Sequence, residues 1–178
     1  MTTSVSKLMI EAGQKARAAS RRMAAASTAD KNKALLRLAE LLEAKKEDIF
    51  AANEQDLVKA KENGLKESFV DRLRVTERVL RLMAEGARQT AALPDPVGEI
   101  SEMRRRPSGI QVGRMRVPLG VLGIIYESRP NVTVDAACLA VKSGNACILR
   151  GGSEAFETNR ILGELVQQAL TETGLPTE

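Results

Sequence analysis

Val121-Leu122-Gly123-Ile124-Ile125-Tyr126 is a run with no charged side chain, and its reading decides the fold. A continuous apolar run of this length is expected of a strand buried on both faces of a parallel sheet. After it the spacing becomes helical from Asn131 to Ser143, with Val134, Ala137, Cys138 and Val141 on one side, and ends at Gly144, a C-cap signal. Ala146 to Arg150 is a second apolar strand, and Glu154 to Thr173 reads as a helix closed by Gly174 and Pro176. Strand, helix, strand, helix in this order is a right-handed βαβα unit of a doubly wound parallel sheet. Two parallel strands leave at least one unprotected edge, so the unit reads as unfinished.

Immediately upstream, Glu99 to Arg106 and Gly109 to Val117 flank a Pro107-Ser108-Gly109 turn and predict a β-hairpin. Ile110 and Val112 share a face that Arg114 and Arg116 then take over, so one side is polar along part of its length. A two-stranded ribbon is not stable alone in water and needs another surface, such as another subunit. Further upstream the chain is rich in Ala, Leu, Lys and Glu and has no Pro before Pro94. The spacing predicts a helix from Ser4 to Ala26 with Leu8, Met9, Ala12, Ala16, Ala19 and Met23 on its apolar face. Ser27 or Thr28 caps a second helix, striped by Leu35, Leu38, Leu41 and Leu42. A third, Glu47 to Glu62, stops at Asn63-Gly64; a short piece spans Glu67–Leu73; Thr76 caps a helix through Val79, Leu80, Met83 and Ala87. Pro94-Asp95-Pro96 ends the helical region.

The 178 residues suffice for one domain or part of a larger one. Lys plus Arg number 27 and Asp plus Glu 23, a net charge of +4. There is no His and no Trp, which removes any Ser-His-Asp or Cys-His triad and any His-ligated metal from this chain; no metal site is expected. Tyr126, Phe50, Phe69 and Phe156 are the whole aromatic complement, too few for a base-stacking platform. Arg104-Arg105-Arg106 therefore reads as a charged strand edge rather than a nucleic-acid contact. No run reaches membrane-spanning length. The basic first 27 residues have the bias of a mitochondrial presequence, but the plainer reading is an amphipathic surface helix. The two cysteines suit a reducing cytosol, so a cytoplasmic location is expected.

Two constellations sit at the carboxyl ends of the strands, where open α/β sheets bind ligands. Arg150-Gly151-Gly152-Ser153 offers close backbone approach, Ser153 as an N-cap, a helix N-terminus that favours anions, and a guanidinium suited to phosphate. The alternative is a tight turn with a solvated arginine. Tyr126-Glu127-Ser128-Arg129-Pro130-Asn131 brings a carboxylate, a hydroxyl, a guanidinium and an amide to the same crevice, able to hold a charged substrate and polarise its carbonyl. The alternative is that Ser128 or Asn131 caps the next helix. Cys138 and Cys147 fall on apolar positions and read as buried hydrophobes rather than nucleophiles.

Val117 through Thr133 and Lys142 through Ala155 closely resemble the gamma-glutamyl phosphate reductase family of the aldehyde dehydrogenase superfamily; Asn53, Asp56 and Asp71-Arg72-Leu73 also fit, so the likeness spans essentially the whole chain. The resemblance implies an α/β fold: N-terminal helices packed on part of a doubly wound parallel, Rossmann-like sheet, plus a β-hairpin, aldehyde dehydrogenase-like but incomplete. Residues 1–97 would be the helical N-terminal part of the cofactor domain, 98–117 the oligomerisation ribbon, and 118–178 the first βαβα unit of the NADP-binding domain.

The activity implied is NADPH-dependent reduction of L-glutamate 5-phosphate to L-glutamate 5-semialdehyde and phosphate in proline biosynthesis, through a cysteine thioester. Arg150 stands where relatives usually carry a lysine near the adenosine ribose, and Ser153 where NAD-preferring ones often carry Glu. With Gly151 and Gly152 these residues are implied to hold the cofactor, and Ser beside Arg tolerates a 2′-phosphate. The oxyanion-hole Asn of the superfamily aligns without gaps on Arg129, while the nearby amide is Asn131. Asn131 is therefore implied as the oxyanion donor, with Ser128 and Arg129 facing substrate phosphate or carboxylate. The resemblance also implies a homo-oligomer formed through the hairpin and an association with glutamate 5-kinase, and no nucleic-acid or membrane partner. It places the catalytic cysteine outside these residues: the chain resembles the N-terminal part only, without the catalytic domain, and is expected to be inactive alone. A non-catalytic nucleotide-binding or assembly module is the other reading.

Overall fold

The computed structural model describes residues 2–177. Seven helices and four strands follow in chain order: α1 (Thr2–Ala24), α2 (Thr28–Ala44), α3 (Lys46–Glu62), α4 (Glu67–Leu73), α5 (Glu77–Ala92), β1 (Ile100–Arg105), β2 (Gln111–Met115), β3 (Val121–Ile125), α6 (Asn131–Lys142), β4 (Ala146–Arg150) and α7 (Phe156–Glu172). A 3₁₀ turn, Ser153–Ala155, precedes α7. Local chemistry accounts for most boundaries. Ser27 Oγ accepts the Asp30 amide and Thr76 Oγ1 the Val79 amide, each satisfying an orphan donor at a helix start. α3, α6 and α7 end alike. The residue after the cap is a left-handed glycine, Gly64, Gly144 or Gly174, and the next amide reaches back to Ala60, Ala140 or Leu170.

The core lies among α2, α5, α6 and α7. Leu35, Leu38, Leu41 and Leu42 of α2 are buried against Leu80, Met83 and Ala87 of α5, Val134 and Cys138 of α6, and Leu162 and Leu165 of α7. β3 and β4 pair in parallel, from Val121 beside Ala146 to Ile125 beside Arg150, with α6 as the crossover. On one sheet face, Ala16 and Ala19 of α1 pack on Ala146, Val121 and Ile148. Small side chains let the helix approach the strands closely.

β3 departs from the expectation of burial on both faces. α1 reaches only the Val121–Ala146 end of its face; Gly123 and Ile125 are exposed, Ile125 by 77%. α1 departs likewise. Ala16, Ala19 and Met23 are buried, but Leu8 and Met9, assigned to the same apolar face, are 65% and 51% exposed. Spacing defines a stripe on a helix but not how far along it the partner surface extends.

β1 and β2 form the hairpin, with every residue exposed. A bulge between Ser101 and Arg104 places Glu102 at φ 56°, a left-handed conformation costly for a residue with a Cβ. Opposite, a Cβ on Gly113 would fall 2.3 Å from Met103 Sδ, the end of an exposed side chain free to turn away, and 3.2 Å from Ser101 O, so a larger residue there requires the methionine to move. Among the described residues, no helix is long and apolar enough to cross a membrane.

Candidate functional site

The two constellations meet. The Tyr126 amide donates to Arg150 O at 3.1 Å, extending the β3–β4 ladder by one bond. Beyond it, buried Ser128 donates its hydroxyl to Glu154 Oε1, joining the β3–α6 loop to the β4–α7 loop. Ser153 Oγ lies 3.3 Å from the other oxygen of Glu154. The Ser128 hydrogen bond, with the residue's own amide and Ser153 adding to it, holds the Glu154 carboxyl below its ordinary value against the opposing effect of burial.

Under this junction runs a second chain of hydrogen bonds. Tyr126 Oη is 2.6 Å from Thr133 Oγ1, which donates to Asn159 Oδ1 at 2.9 Å; the tyrosine is then the donor of the first pair. Burial pushes the Tyr126 phenol up, so it remains a neutral donor at neutral pH. Gly151 fits against both groups: a Cβ there would lie 2.2 Å from Asn159 Nδ2 and 3.2 Å from Tyr126 Cε2. The Asn159 amide nitrogen is buried and has no partner among the described residues.

Arg150 and Ser153 are exposed, and Gly151 and Gly152 half-buried, at the carboxyl end of β4. Ser153 does not cap α7. The cap comes from across the fold: Asp56 of α3 accepts the amides of Glu157 at 3.1 Å and Thr158 at 2.8 Å, and the Thr158 hydroxyl at 2.7 Å. The N-terminus of α7 already holds a carboxylate, which corrects its reading as an anion site. On the other loop, Arg129 is exposed and Asn131 half-buried. Neither Ser128 nor Asn131 caps α6, whose first turn follows Pro130; Asn131 Nδ2 donates to Asp135 Oδ2 at 3.1 Å. Burial raises the Asp135 carboxyl, partly offset by that bond.

Asn53 and Asp56 were visible in the sequence without a role. Asn53 donates to Leu73 O at 2.9 Å and Thr158 Oγ1 at 3.1 Å, and accepts the Val75 amide at 2.8 Å. The signal is positional: two polar residues, three apart, inside the buried stripe of Ile49, Ala52, Leu57 and Ala60. Both thiols are unsuited to nucleophilic attack. Burial pushes Cys138 up to about 12 and also raises Cys147.

The groups around the β4–α7 turn are of the kind that hold a phosphate or other anion. Among the described residues, the Gly151 and Gly152 amides have no acceptor, while Arg150 and Ser153 add a cation and a hydroxyl.

The sequence matches the aldehyde dehydrogenase family over residues 2–178. Its fold is similar to gamma-glutamyl phosphate reductase from Thermotoga maritima, with a TM-score of 0.91 and 43% identity over 94% of this chain and 41% of that one. For gamma-glutamyl phosphate reductase from Saccharomyces cerevisiae the TM-score is 0.87 and the identity 34%, over 92% and 43% of the two chains. A NAD-dependent benzaldehyde dehydrogenase from Corynebacterium glutamicum gives 0.66 and 25%, over 90% and 33%. The chain thus spans less than half the length of each of these relatives. With a match running from residue 2 to 178, this chain belongs to the aldehyde dehydrogenase family.

Proposed function

We propose that this chain forms the nucleotide-binding part of an oxidoreductase that reduces L-glutamate 5-phosphate to L-glutamate 5-semialdehyde and phosphate, with NADPH, in proline biosynthesis. The likeness at 43% identity and a TM-score of 0.91 to a gamma-glutamyl phosphate reductase carries the reading. Bound NADPH supplies the hydride. Arg150 and Ser153, with the Gly151 and Gly152 amides, hold its adenosine ribose and 2′-phosphate. Arg129, exposed beside the junction, offers a fork for the substrate's phosphate or carboxylate. Ser128 serves through Glu154, fixing the two loops against each other. Asn131 is the oxyanion donor once its amide exchanges the Asp135 carboxylate for the substrate oxygen.

With Cys138 buried, Cys147 half-buried and both thiols raised, the thioester-forming cysteine belongs outside these residues, and the 178 residues by themselves do not turn over. The exposed hairpin, 98–117, mediates homo-oligomerisation, glutamate 5-kinase is a candidate partner, and the enzyme works in the cytoplasm. The test assays the native polypeptide carrying this sequence. Equimolar NADPH oxidation and phosphate release from L-glutamate 5-phosphate are expected, and release of no phosphate overturns the reading.

A further inference from the structure

A cavity of about 630 Å³ opens beside the β4–α7 turn, between the end of α3, the α3–α4 loop and α4. Its wall includes Lys59, Lys66, Phe69, Ser153, Glu154 and Phe156. Two of the three phenylalanines of this aromatic-poor chain therefore face one cavity, 38% and 61% exposed. Phe69 carries Arg72 5.7 Å over its ring, and the two phenylalanines give a cavity that also holds both lysines flat apolar faces for an occupant. The acids nearby are engaged: Asp56 by the first amides of α7 and Glu154 by Ser128. The cations are not comparably held. Lys59 is 3.4 Å from Glu157 in an exposed pair, and Lys66 has no acidic partner within 4 Å among the described residues. Cations, a hydroxyl and exposed rings suit a phosphorylated purine nucleoside.

We propose that Lys66, assisted by Lys59, reads the phosphate on the adenosine ribose of the nicotinamide cofactor, so that the α3–α4 loop sets the choice between NADPH and NADH. This rests on the cofactor reading above and adds to it a specificity residue from an element outside the βαβα unit. Ser153 connects the two, since it belongs both to the β4–α7 turn and to the cavity wall. Lys66 precedes α4, where its carbonyl accepts the Phe69 and Val70 amides, so the backbone carrying the ammonium is fixed while the side chain stays free.

The test titrates the native polypeptide with 2′,5′-ADP and with 5′-ADP by calorimetry, alongside the KM values for NADPH and NADH. Lys66→Met is expected to weaken 2′,5′-ADP about tenfold, the low end for one charge-assisted hydrogen bond, and to leave 5′-ADP unchanged. Lys66→Arg restores most of the difference. Lys61→Met, a charge removed from α3 outside the cavity, leaves both affinities in place. An unchanged ratio of 2′,5′-ADP to 5′-ADP affinity in Lys66→Met, with NADPH still bound, overturns the inference and spares the cofactor reading. Failure of the parent protein to bind 2′,5′-ADP or NADPH at all overturns both.

Discussion

Lys31 Nζ lies 2.5 Å from Asp95 Oδ2, and the lysine is 1% exposed. The same carboxylate accepts the Thr28 hydroxyl at 2.7 Å and the Val97 amide at 3.0 Å, tying the start of α2 to the segment that leaves α5. Lys142 is buried close by, donating to Asn32 Oδ1 at 2.6 Å and Ala91 O at 2.8 Å. Of these two buried ammonium groups Lys31 is ion-paired with Asp95, while Lys142 is held by neutral acceptors. Asp95→Asn strands Lys31 without a counter-charge and is expected to cost about 3–5 kcal/mol, read by urea unfolding. A loss below about 1 kcal/mol would show the pair to be solvent-screened.

The same cluster fixes a pH dependence. Burial favours the neutral form of Asp95, but the bonds from Lys31, Thr28 and Val97 outweigh it and hold the carboxyl below its ordinary value. A carboxyl depressed in the folded state stabilises above its unfolded pKa, and the gain is lost as pH falls through the folded one. Glu154 acts in the same direction. Lys142 acts at higher pH: burial depresses its ammonium, so stability from that source rises with pH as the folded lysine loses its proton and levels off once the unfolded lysine has titrated. The melting temperature is expected to fall on acidification below about pH 4, and less steeply in Asp95→Asn. Equal acid limbs in the two proteins would contradict this.

Removing Asp56 tests the cross-fold cap. Asp56→Ala leaves the Glu157 and Thr158 amides and the Thr158 hydroxyl without their acceptor, at an expected cost of about 3 kcal/mol. Amide exchange should accelerate first at Glu157 and Thr158, before the rest of α7.

Gly144 and Gly174 share a left-handed conformation but not their surroundings. A Cβ at Gly144 would meet Pro118 Cγ at 3.0 Å and Val97 Cγ2 at 3.2 Å; at Gly174 it would meet nothing within 4 Å. Gly174→Ala is expected to lose only the backbone penalty, about 1–2 kcal/mol, and Gly144→Ala more. Equal losses would mean that Pro118 and Val97 yield freely.

The two thiols should resist alkylation in the folded protein, Cys138 more than Cys147, because burial disfavours the thiolate in both and most at Cys138. Mass spectrometry after brief iodoacetamide treatment checks this, with urea-unfolded protein as the reactive control.

The helices, their caps and the βαβα order were legible because each is written in local signals, such as the α2 leucine stripe, Ser27, Thr76 and the glycine stops. Burial of β3 and of the first half of α1 was not, because each depends on how far a neighbouring surface extends. The candidate site was legible as two loops but not as one junction. Ser128 and Glu154 are 26 residues apart, and only the fold brings them together. Asp56 displacing Ser153 as the cap of α7, and Asp95 serving a buried lysine, are likewise meetings across sequence distance. A carboxylate in a helical or Pro-flanked context carries no mark of its partner.

Both feet of the hairpin stand on fixed ground. Val97 enters it held by Asp95, and Gly120, just past its exit, donates its amide to Asn145 Oδ1 at 2.7 Å. A ribbon with every strand residue in solvent is therefore mounted like a bracket bolted at both ends. Whatever surface it meets receives it at an angle set by Lys31 and Asn145, so a change in the core can misalign a contact made at the tip.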